Sequence, residues 1–272
     1  MQSYLDILSY LLEFGRAHDD RTGVGTRRTF GYQWVHHMGD GFPLLTTKRV
    51  SFRWVFEELA WFLSGSTDER ILRDKGVDIW KEWKSPNPQF EGDMGPIYGR
   101  QFRDFGGVDQ IAQAIDMIMT QPNSRRIIVT AWNPPAINEM ALPPCHCFFQ
   151  IQCPDDFGLS MHMVMRSTDA FLGLPFNIAS YALLLQMMAR VTGRKADRLV
   201  VSFGDLHIYN NHLKQVELQL RREPRVLPEV IVTLDGIDPT LSPLEQLLAI
   251  RWENIKLVGY MPHPKIEAPV AV

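Results

Sequence analysis

The segment 176–192 (FNIASYALLLQMMARVT) constrains the fold more than any other part of the chain, because apolar residues occupy nearly every side of it. A surface helix carries one apolar stripe, whereas a helix that is apolar all round must be covered by other elements. The run is shorter than the ~18–20 apolar residues that cross a bilayer. The sequence therefore predicts a buried central helix inside a large domain.

Helix-like and strand-like segments alternate around this central helix. Apolar spacing predicts helices over 1–14, 52–63, 108–120 and 209–222, and strands over 126–132, 147–153, 159–165 and 199–203. No repeat and no Gly/Ser-rich linker marks a boundary, so we expect one domain over 1–272. The expected fold class is α/β (α+β), with a mixed sheet, a buried central helix and surrounding helices.

The charge balance excludes several classes of function. The chain carries 28 Lys and Arg against 31 Asp and Glu, which gives a formal net charge of −3. This balance argues against a nucleic-acid coat protein or a polybasic membrane-surface protein, so we expect neither nucleic acid nor a membrane as a partner. Asp6 stands where a signal peptide would carry Lys or Arg, which predicts a cytoplasmic protein.

The three cysteines, Cys145, Cys147 and Cys153, lie within nine positions. An odd number placed so closely predicts no disulfide framework. A zinc site at Cys145, His146 and Cys147 would need ligand pairs at wider spacings and a second pair, which the sequence lacks. We therefore expect no metal.

Cys145 is the candidate nucleophile. Pro143 and Pro144 precede it and fix the direction of the backbone. A thiolate is the strongest common protein nucleophile, and a neighbouring cation lowers the pKa of a thiol. A buried structural thiol is an equally good interpretation of the local sequence, and it is the favoured one for Cys147 and Cys153.

Arginines supply a candidate site for a single phosphate group. Arg21 lies in a loop of small and turn-forming residues, where backbone N–H groups can approach an anion. The other candidates lie at strand ends and are Arg125, Arg126, Arg166 and Ser167. Guanidinium groups bind phosphate by paired hydrogen bonds, and a hydroxyl adds one more. Taken singly, each arginine is better interpreted as a solvated charge.

Four further residues are chemically unusual for their positions. Asn177 falls at the start of the apolar helix, where an amide is either a helix cap or a ligand contact. Its donor and acceptor match the O4/N3–H edge of uracil. His207 and Tyr209 lie at a predicted strand-to-helix corner, a common position for ligand contacts. Glu58 lies in an apolar helix, where a carboxylate is costly unless it is paired or functional.

Ordered motifs along the whole chain resemble the thymidylate synthase family. They are Asp20-Arg21-Thr22-Gly23, Phe42-Pro43-Leu44-Leu45-Thr46-Thr47-Lys48, Glu58-Leu59-x-Trp61-Phe62-Leu63, Ile79-Trp80-x-Glu82-Trp83, Gly95-Pro96-x-Tyr98-Gly99, Ser124-Arg125-Arg126, Pro144-Cys145-His146, Arg166-Ser167-x-Asp169, Phe171 to Tyr181 (FLGLPFNIASY), Gly204-Asp205-x-His207-x-Tyr209, Tyr260-x-Pro262-His263-Pro264 and Ala268-Pro269-Val270-Ala271-Val272.

The resemblance implies a single catalytic domain that works as a homodimer. The implied reaction is transfer of a one-carbon unit from 5,10-methylenetetrahydrofolate to C5 of dUMP through a covalent bond between Cys145 and C6. Reduction then gives dTMP and dihydrofolate, with folate as co-substrate and no metal. The implied catalytic residues are Cys145, Glu58, Tyr98, His146 and Asp169.

The resemblance also assigns binding roles. Arg21, Arg166 and Ser167 would hold the phosphate, and Arg125 and Arg126 would reach it from the second subunit. Asn177 would bind the uracil edge, and His207 and Tyr209 the sugar hydroxyl. The implied folate-site residues are Ser51, Trp80, Trp83, Asp169, Gly173, Phe176 and Ala271, with Val272 closing over the ligands.

The chain departs from the family pattern at positions that bear on the last chemical step. Val164 and Met165 replace the usual Tyr-Gln, Ser51 replaces a His, and Met261 replaces an acid. An alternative is therefore a dUMP hydroxymethylase, in which water replaces hydride and gives 5-hydroxymethyl-dUMP. Trp80 and the C-terminal tail, both expected to exclude water, favour the methyl product.

Overall fold

Helices and strands follow one another along most of the chain in the computed structural model, which describes residues 1–87, 89–155 and 157–270. The helices are α1 (Gln2–Phe14), α2 (Phe52–Ser64), α3 (Arg70–Arg73), α4 (Tyr98–Arg103), α5 (Gln110–Thr120), α6 (Gly173–Val191), α7 (Leu213–Leu220) and α8 (Pro243–Ala249). The strands are β1 (Arg16–His18), β2 (Thr26–His37), β3 (Ile128–Thr130), β4 (His146–Gln152), β5 (Gly158–Asp169), β6 (Lys195–Tyr209), β7 (Glu229–Val232) and β8 (Ile255–Val258).

The main sheet has the strand order β1-β2-β6-β5-β4-β3, and β7 pairs with β8 in a separate ribbon. Strands β5 and β6 run parallel, whereas the other neighbours in the main sheet are antiparallel. A parallel pair needs a crossover, and α6 supplies it between β5 and β6. The predicted mixed sheet in an α/β domain is confirmed.

Helix α6 is the buried central helix that the sequence predicts. Leu174, Ile178, Leu183 and Met188 are among its fully buried side chains. The helix packs on β5 and β6, and α2 and α8 also contact it. Because the helix is covered on several sides, its nearly continuous apolar composition is satisfied, and Asn177 stands out as a polar side chain near its beginning.

The sequence did not predict the short elements α3, α4, α8, β1, β7 and β8, and three longer differences bear on the site. Strand β2 is long and was not predicted, since Arg27 and Arg28 interrupt its apolar alternation. Strand β6 runs from Lys195 to Tyr209, well beyond the predicted 199–203, because polar residues continue the ladder with β2 and β5. The helix predicted from 209 begins only at Leu213, so Tyr209 ends a strand instead.

Gly95 lies in the loop that leads into α4, where the backbone packs closely against Glu139. A substitution at this glycine tests that close backbone packing. Its φ is +71°, and an added Cβ would lie 2.0 Å from the carbonyl oxygen of Glu139. Gly76 has nearly the same φ, +72°, with open space around it. We expect Gly95→Ala to lower the free energy of unfolding by about 2 kcal/mol more than Gly76→Ala, since only the first adds a backbone clash. Equal losses in denaturant unfolding would contradict this packing.

Candidate active site

A cavity of about 770 Å³ opens beside Cys145 at the ends of β2, β5 and β6. It brings together most of the residues singled out in the sequence: Arg21, Glu58, Trp80, Trp83, Tyr98, Cys145, His146, Arg166, Ser167, Asp169, Gly173, Asn177, His207 and Tyr209. A larger cavity of about 1390 Å³ contains Ser51 and Phe176. The two share Glu58, Trp83, Gly173, Asn177 and Val270, so they form adjoining chambers.

Cys145 is held through its backbone from two directions. Its N–H donates to the Tyr98 hydroxyl oxygen at 2.7 Å, and its carbonyl accepts from the Arg166 N–H at 2.9 Å. The Arg166 guanidinium donates to the carbonyls of Pro143 and Pro144 at 2.7 and 2.8 Å. The thiol is therefore presented to the cavity by a fixed segment of chain, as the two prolines predict.

The pKa of the Cys145 thiol is raised, whereas a reactive thiol would be expected to have a lowered pKa. Burial raises the pKa of this thiol above its usual value, while the positive charge of Arg166 acts to lower it and the nearby Cys147 acts to raise it. Arg166 supplies a cation beside the thiol, but burial has the larger effect on the pKa. The thiol of the free protein is thus mainly protonated at neutral pH.

Asn177 faces the cavity and not the end of its helix. It lies in the second turn of α6, whose N-cap residue is Leu172, so the capping interpretation is wrong. The Asn177 Nδ2 donates to the His146 Nε2 at 2.7 Å. Burial lowers the pKa of His146 to about 4, so the ring is neutral and its Nε2 can accept this bond.

Glu58 stands where the two chambers meet. Its Oε1 accepts a hydrogen bond from the Trp80 indole N–H at 2.8 Å. Burial raises the pKa of Glu58 to about 7, and the Trp80 bond opposes this only in part. A carboxyl with such a pKa exchanges protons at neutral pH, which is the property required of a general acid or base.

The wall formed by β2 and β6 carries His207 and Tyr209. The His207 Nδ1 lies 2.8 Å from the Asp205 Oδ1, which leaves Nε2 for the cavity. Burial raises the pKa of Tyr209 to about 12, so its hydroxyl stays protonated. Arg28 and Asp205 line the same wall. Asp205 stands in a quoted motif but was given no role, and its two-residue spacing from His207 and Tyr209 places the three on one face of a strand. Arg28 was not singled out, and no local motif marks it.

The predicted phosphate ligands divide into two sets. Arg21 and Arg166 line the Cys145 cavity together with Ser167. The loop that carries Arg21 is shaped by the Asp20 carboxylate, which accepts from the N–H groups of Thr22 and Gly25. The other two arginines lie elsewhere, since Arg125 and Arg126 line two separate surface cavities. Their predicted role in the site of a second subunit stays a prediction.

The larger chamber combines aromatic rings with cations. Its aromatic side chains are Phe52, Trp54, Trp83, Phe176, Trp252 and Tyr260, and its cations include Lys48, Arg49, Arg53 and Lys265. Burial lowers the pKa of Lys48 to about 7, and its ammonium donates to the Phe171 carbonyl oxygen. Lys48 and Tyr260 stand in the quoted motifs, but their place in this chamber was not predicted.

Asp169 lies at the end of β5 and shapes the turn into α6. Its Oδ1 accepts from the N–H groups of Phe171 and Leu172 at 2.8 and 3.2 Å. The carboxylate also lines the Cys145 cavity. Ala271 and Val272, for which the sequence predicts folate contact and closure, lie outside the described residues.

Within residues 1–87, 89–155 and 157–270, no group of three or more His, Cys, Asp or Glu is arranged to hold a metal ion. Within the same part of the chain, no helix combines the length and the apolar composition that crossing a bilayer requires.

Comparison with known proteins gives a family. A family model with the description Thymidylate synthase matches residues 2–272, which is nearly the whole chain. The match includes every residue that lines the two chambers.

Proposed function

This chain belongs to the thymidylate synthase family, and from that premise we propose that it converts dUMP to dTMP. The family transfers a one-carbon unit to dUMP and uses methylenetetrahydrofolate as co-substrate. One observation carries the finer proposal for this chain: Cys145, Asn177 and Arg166, from three separate elements, converge on a cavity that adjoins a larger aromatic and cationic chamber.

Cys145 is the proposed nucleophile. Its sulfur forms a bond to C6 of the pyrimidine, and the electrons of the C5–C6 double bond move towards C5 and O4. C5 then attacks the one-carbon unit and afterwards loses its proton to a base in the site. Hydride adds to the transferred carbon as the bond between sulfur and C6 breaks, which restores the C5–C6 double bond and frees the nucleotide. Bound 5,10-methylenetetrahydrofolate supplies the methylene carbon and the hydride, and leaves as dihydrofolate.

Arg21, Arg166 and Ser167 are the proposed phosphate ligands within one chain. Two guanidinium groups and a hydroxyl that line one cavity suit a single dianionic group. We propose that Arg125 and Arg126 of a second copy complete this site in a homodimer. A cytoplasmic location stays a prediction from the N-terminal sequence.

Asn177 is the proposed contact for the uracil edge. Its amide oxygen can accept from N3–H while the nitrogen donates to O4, an arrangement that cytosine cannot match. His146 accepts from the Asn177 nitrogen and supports this orientation. Tyr98 supports the nucleophile through its bond to the Cys145 N–H. His207 and Tyr209, on the wall formed by β2 and β6, are proposed to bind the sugar hydroxyl.

The larger chamber is the proposed folate site. Flat rings and several cations suit a co-substrate that has a fused aromatic ring and carboxylates. The residues proposed to contact it are Ser51, Trp80, Trp83, Asp169, Gly173, Phe176 and, outside the described residues, Ala271.

A specific observation keeps the hydroxymethylase as the second candidate. Met165 and Ser51 line the two chambers where the family pattern has Gln and His. Met165 is buried, and its sulfur accepts a hydrogen bond from the Thr168 hydroxyl. An apolar thioether in the wall disfavours ordered water, and the buried Trp80 lines the same cavity, so we favour the methyl product.

Product identification tests the proposal. The purified protein is incubated with dUMP and 5,10-methylenetetrahydrofolate, with dCMP in a parallel reaction, and the nucleotides are identified by mass spectrometry. We expect dTMP together with dihydrofolate absorbance, and no product from dCMP. A hydroxymethyl nucleotide without dihydrofolate would establish the second candidate instead.

A further inference from the structure

Three polar contacts follow one another along the wall formed by β2 and β6. The His207 Nδ1 lies 2.8 Å from Asp205 Oδ1, and Arg28 donates to Asp205 Oδ2 at 2.8 Å. The other terminal nitrogen of Arg28 lies 3.2 Å from the His18 Nδ1. The guanidinium is thus held between a carboxylate and a ring nitrogen, which fixes its position more firmly than a single ion pair would.

The strand register explains why these groups meet. Arg28 lies directly opposite His207 in the antiparallel ladder between β2 and β6, so the two side chains share a face. Asp205 comes two residues before His207 and shares that face as well. Arg28, Asp205 and His207 all line the Cys145 cavity. The contacts therefore belong to the wall of the site and not to a distant surface.

We propose that Arg28 is a positioning residue, acting through Asp205 on His207, for recognition of the sugar hydroxyl of the nucleotide. This inference rests on the proposed function, in which His207 and Tyr209 bind the one free hydroxyl of dUMP, at C3′. Arg28 fixes the carboxylate of Asp205, and this carboxylate holds the proton of His207 on Nδ1. The Nε2 is then left as an acceptor that points to the hydroxyl proton.

The chain offers a matched control for the charge of Arg28. Arg27 precedes it on β2 and points to the other face, where its guanidinium donates to the Leu12 carbonyl at 2.9 Å. Arg27→Leu therefore removes the same charge from the same strand without touching Asp205. Arg28→Lys keeps the positive charge but loses the two-sided hydrogen bonding of the guanidinium group. It should therefore show a smaller loss of dUMP discrimination than Arg28→Leu.

The test compares dUMP with 2′,3′-dideoxyuridine monophosphate, which lacks the hydroxyl. Calorimetry gives the Kd of each for the full-length protein. We expect the unsubstituted protein to bind dUMP about tenfold more tightly than the dideoxy compound, the contribution of one good hydrogen bond. In Arg28→Leu this ratio should fall to about threefold or less, while Arg27→Leu keeps it. In turnover, KM for dUMP should rise about threefold in Arg28→Leu, with kcat changed less than about twofold.

The outcomes separate this inference from the proposed function. Tight dUMP binding with an unchanged ratio in Arg28→Leu would overturn the role of Arg28 alone. An equal fall of the ratio in Arg27→Leu would also overturn it, because the effect would then be one of net charge. Failure of the unsubstituted protein to bind dUMP would overturn the proposed function, and this inference with it.

Discussion

Replacement of Cys145 by serine is expected to lower kcat for dTMP formation by about 10⁴-fold or more, the loss typical of an enzyme that has lost its nucleophile. A serine hydroxyl holds its proton far more tightly than a thiol does, and oxygen attacks an activated carbon–carbon double bond poorly. The Kd for dUMP should change by less than about threefold, because the proposed phosphate, base and sugar contacts come from other residues. Initial rates and calorimetry on the same preparation give both numbers.

The other two cysteines are the natural controls. Neither Cys147 nor Cys153 lines the Cys145 cavity, and both are expected to keep near-normal turnover as serine variants. A Cys145→Ser protein that retained substantial turnover would show that the covalent bond to C6 is not formed by this residue. Loss of activity in all three variants would instead indicate a general effect of removing thiols on the fold.

The raised pKa of Cys145 adds a requirement to this mechanism. Since burial keeps the thiol protonated in the free protein, a proton must leave when sulfur attacks. Arg166 lies close enough for its charge to lower the pKa of the thiol, although its guanidinium bonds to the carbonyls of Pro143 and Pro144. Attack therefore depends on a proton acceptor or on a shift in these contacts, and a static strand-end arginine alone does not activate the thiol.

The sequence was most informative about residues whose chemistry conflicts with their surroundings. Glu58 in an apolar helix and Asn177 in the central helix both proved to face the cavity. The local pattern left Asn177 open between a cap and a ligand contact, because either would suit the first turns of a helix. Its place in the second turn, bonded to His146, became visible only with the packing of α6 against β4.

The sequence was least informative about features that depend on strand pairing and burial. Arg28 drew no interpretation from the sequence, and it reaches the cavity wall only because β2 pairs with β6 in one register. Strand β6 was predicted too short, since Gly204 and Asp205 disfavour a strand locally while the ladder extends through them. The direction of the pKa shift of Cys145 depends on total burial, which no local motif encodes.

Glu58→Gln is expected to lower kcat by about 10²- to 10³-fold, the range for loss of a general acid or base. Glutamine is nearly isosteric and its oxygen can still accept from the Trp80 indole, so the wall of the site should stay intact. Glutamine cannot donate or accept a proton in the site, whereas a carboxyl with a pKa of about 7 can do both. In the unsubstituted protein kcat should decrease above pH ~7, where Glu58 loses its proton. We expect this decrease to be absent in the variant. Steady-state rates from pH 6 to pH 9 measure this, and Glu69→Gln, a buried carboxylate paired with Arg73 outside both chambers, is the control.

Stability gives a second readout that does not depend on turnover. The pKa of Glu58 is raised by burial from its usual 4.5 to about 7, so between these values the folded protein binds more protons than the unfolded chain. Unfolding free energy must then fall as pH rises through this window, and the loss attributable to this carboxyl levels off above pH ~7. Glu58→Gln has no carboxyl at this position and so lacks this pH dependence. Its free energy of unfolding, relative to that of the unsubstituted protein, should therefore increase by about 3 kcal/mol between pH ~4.5 and pH ~7. A difference that stays flat with pH would mean that the pKa of Glu58 is not raised in the folded protein, and its role as a general acid or base near neutral pH would fail even if activity were lost.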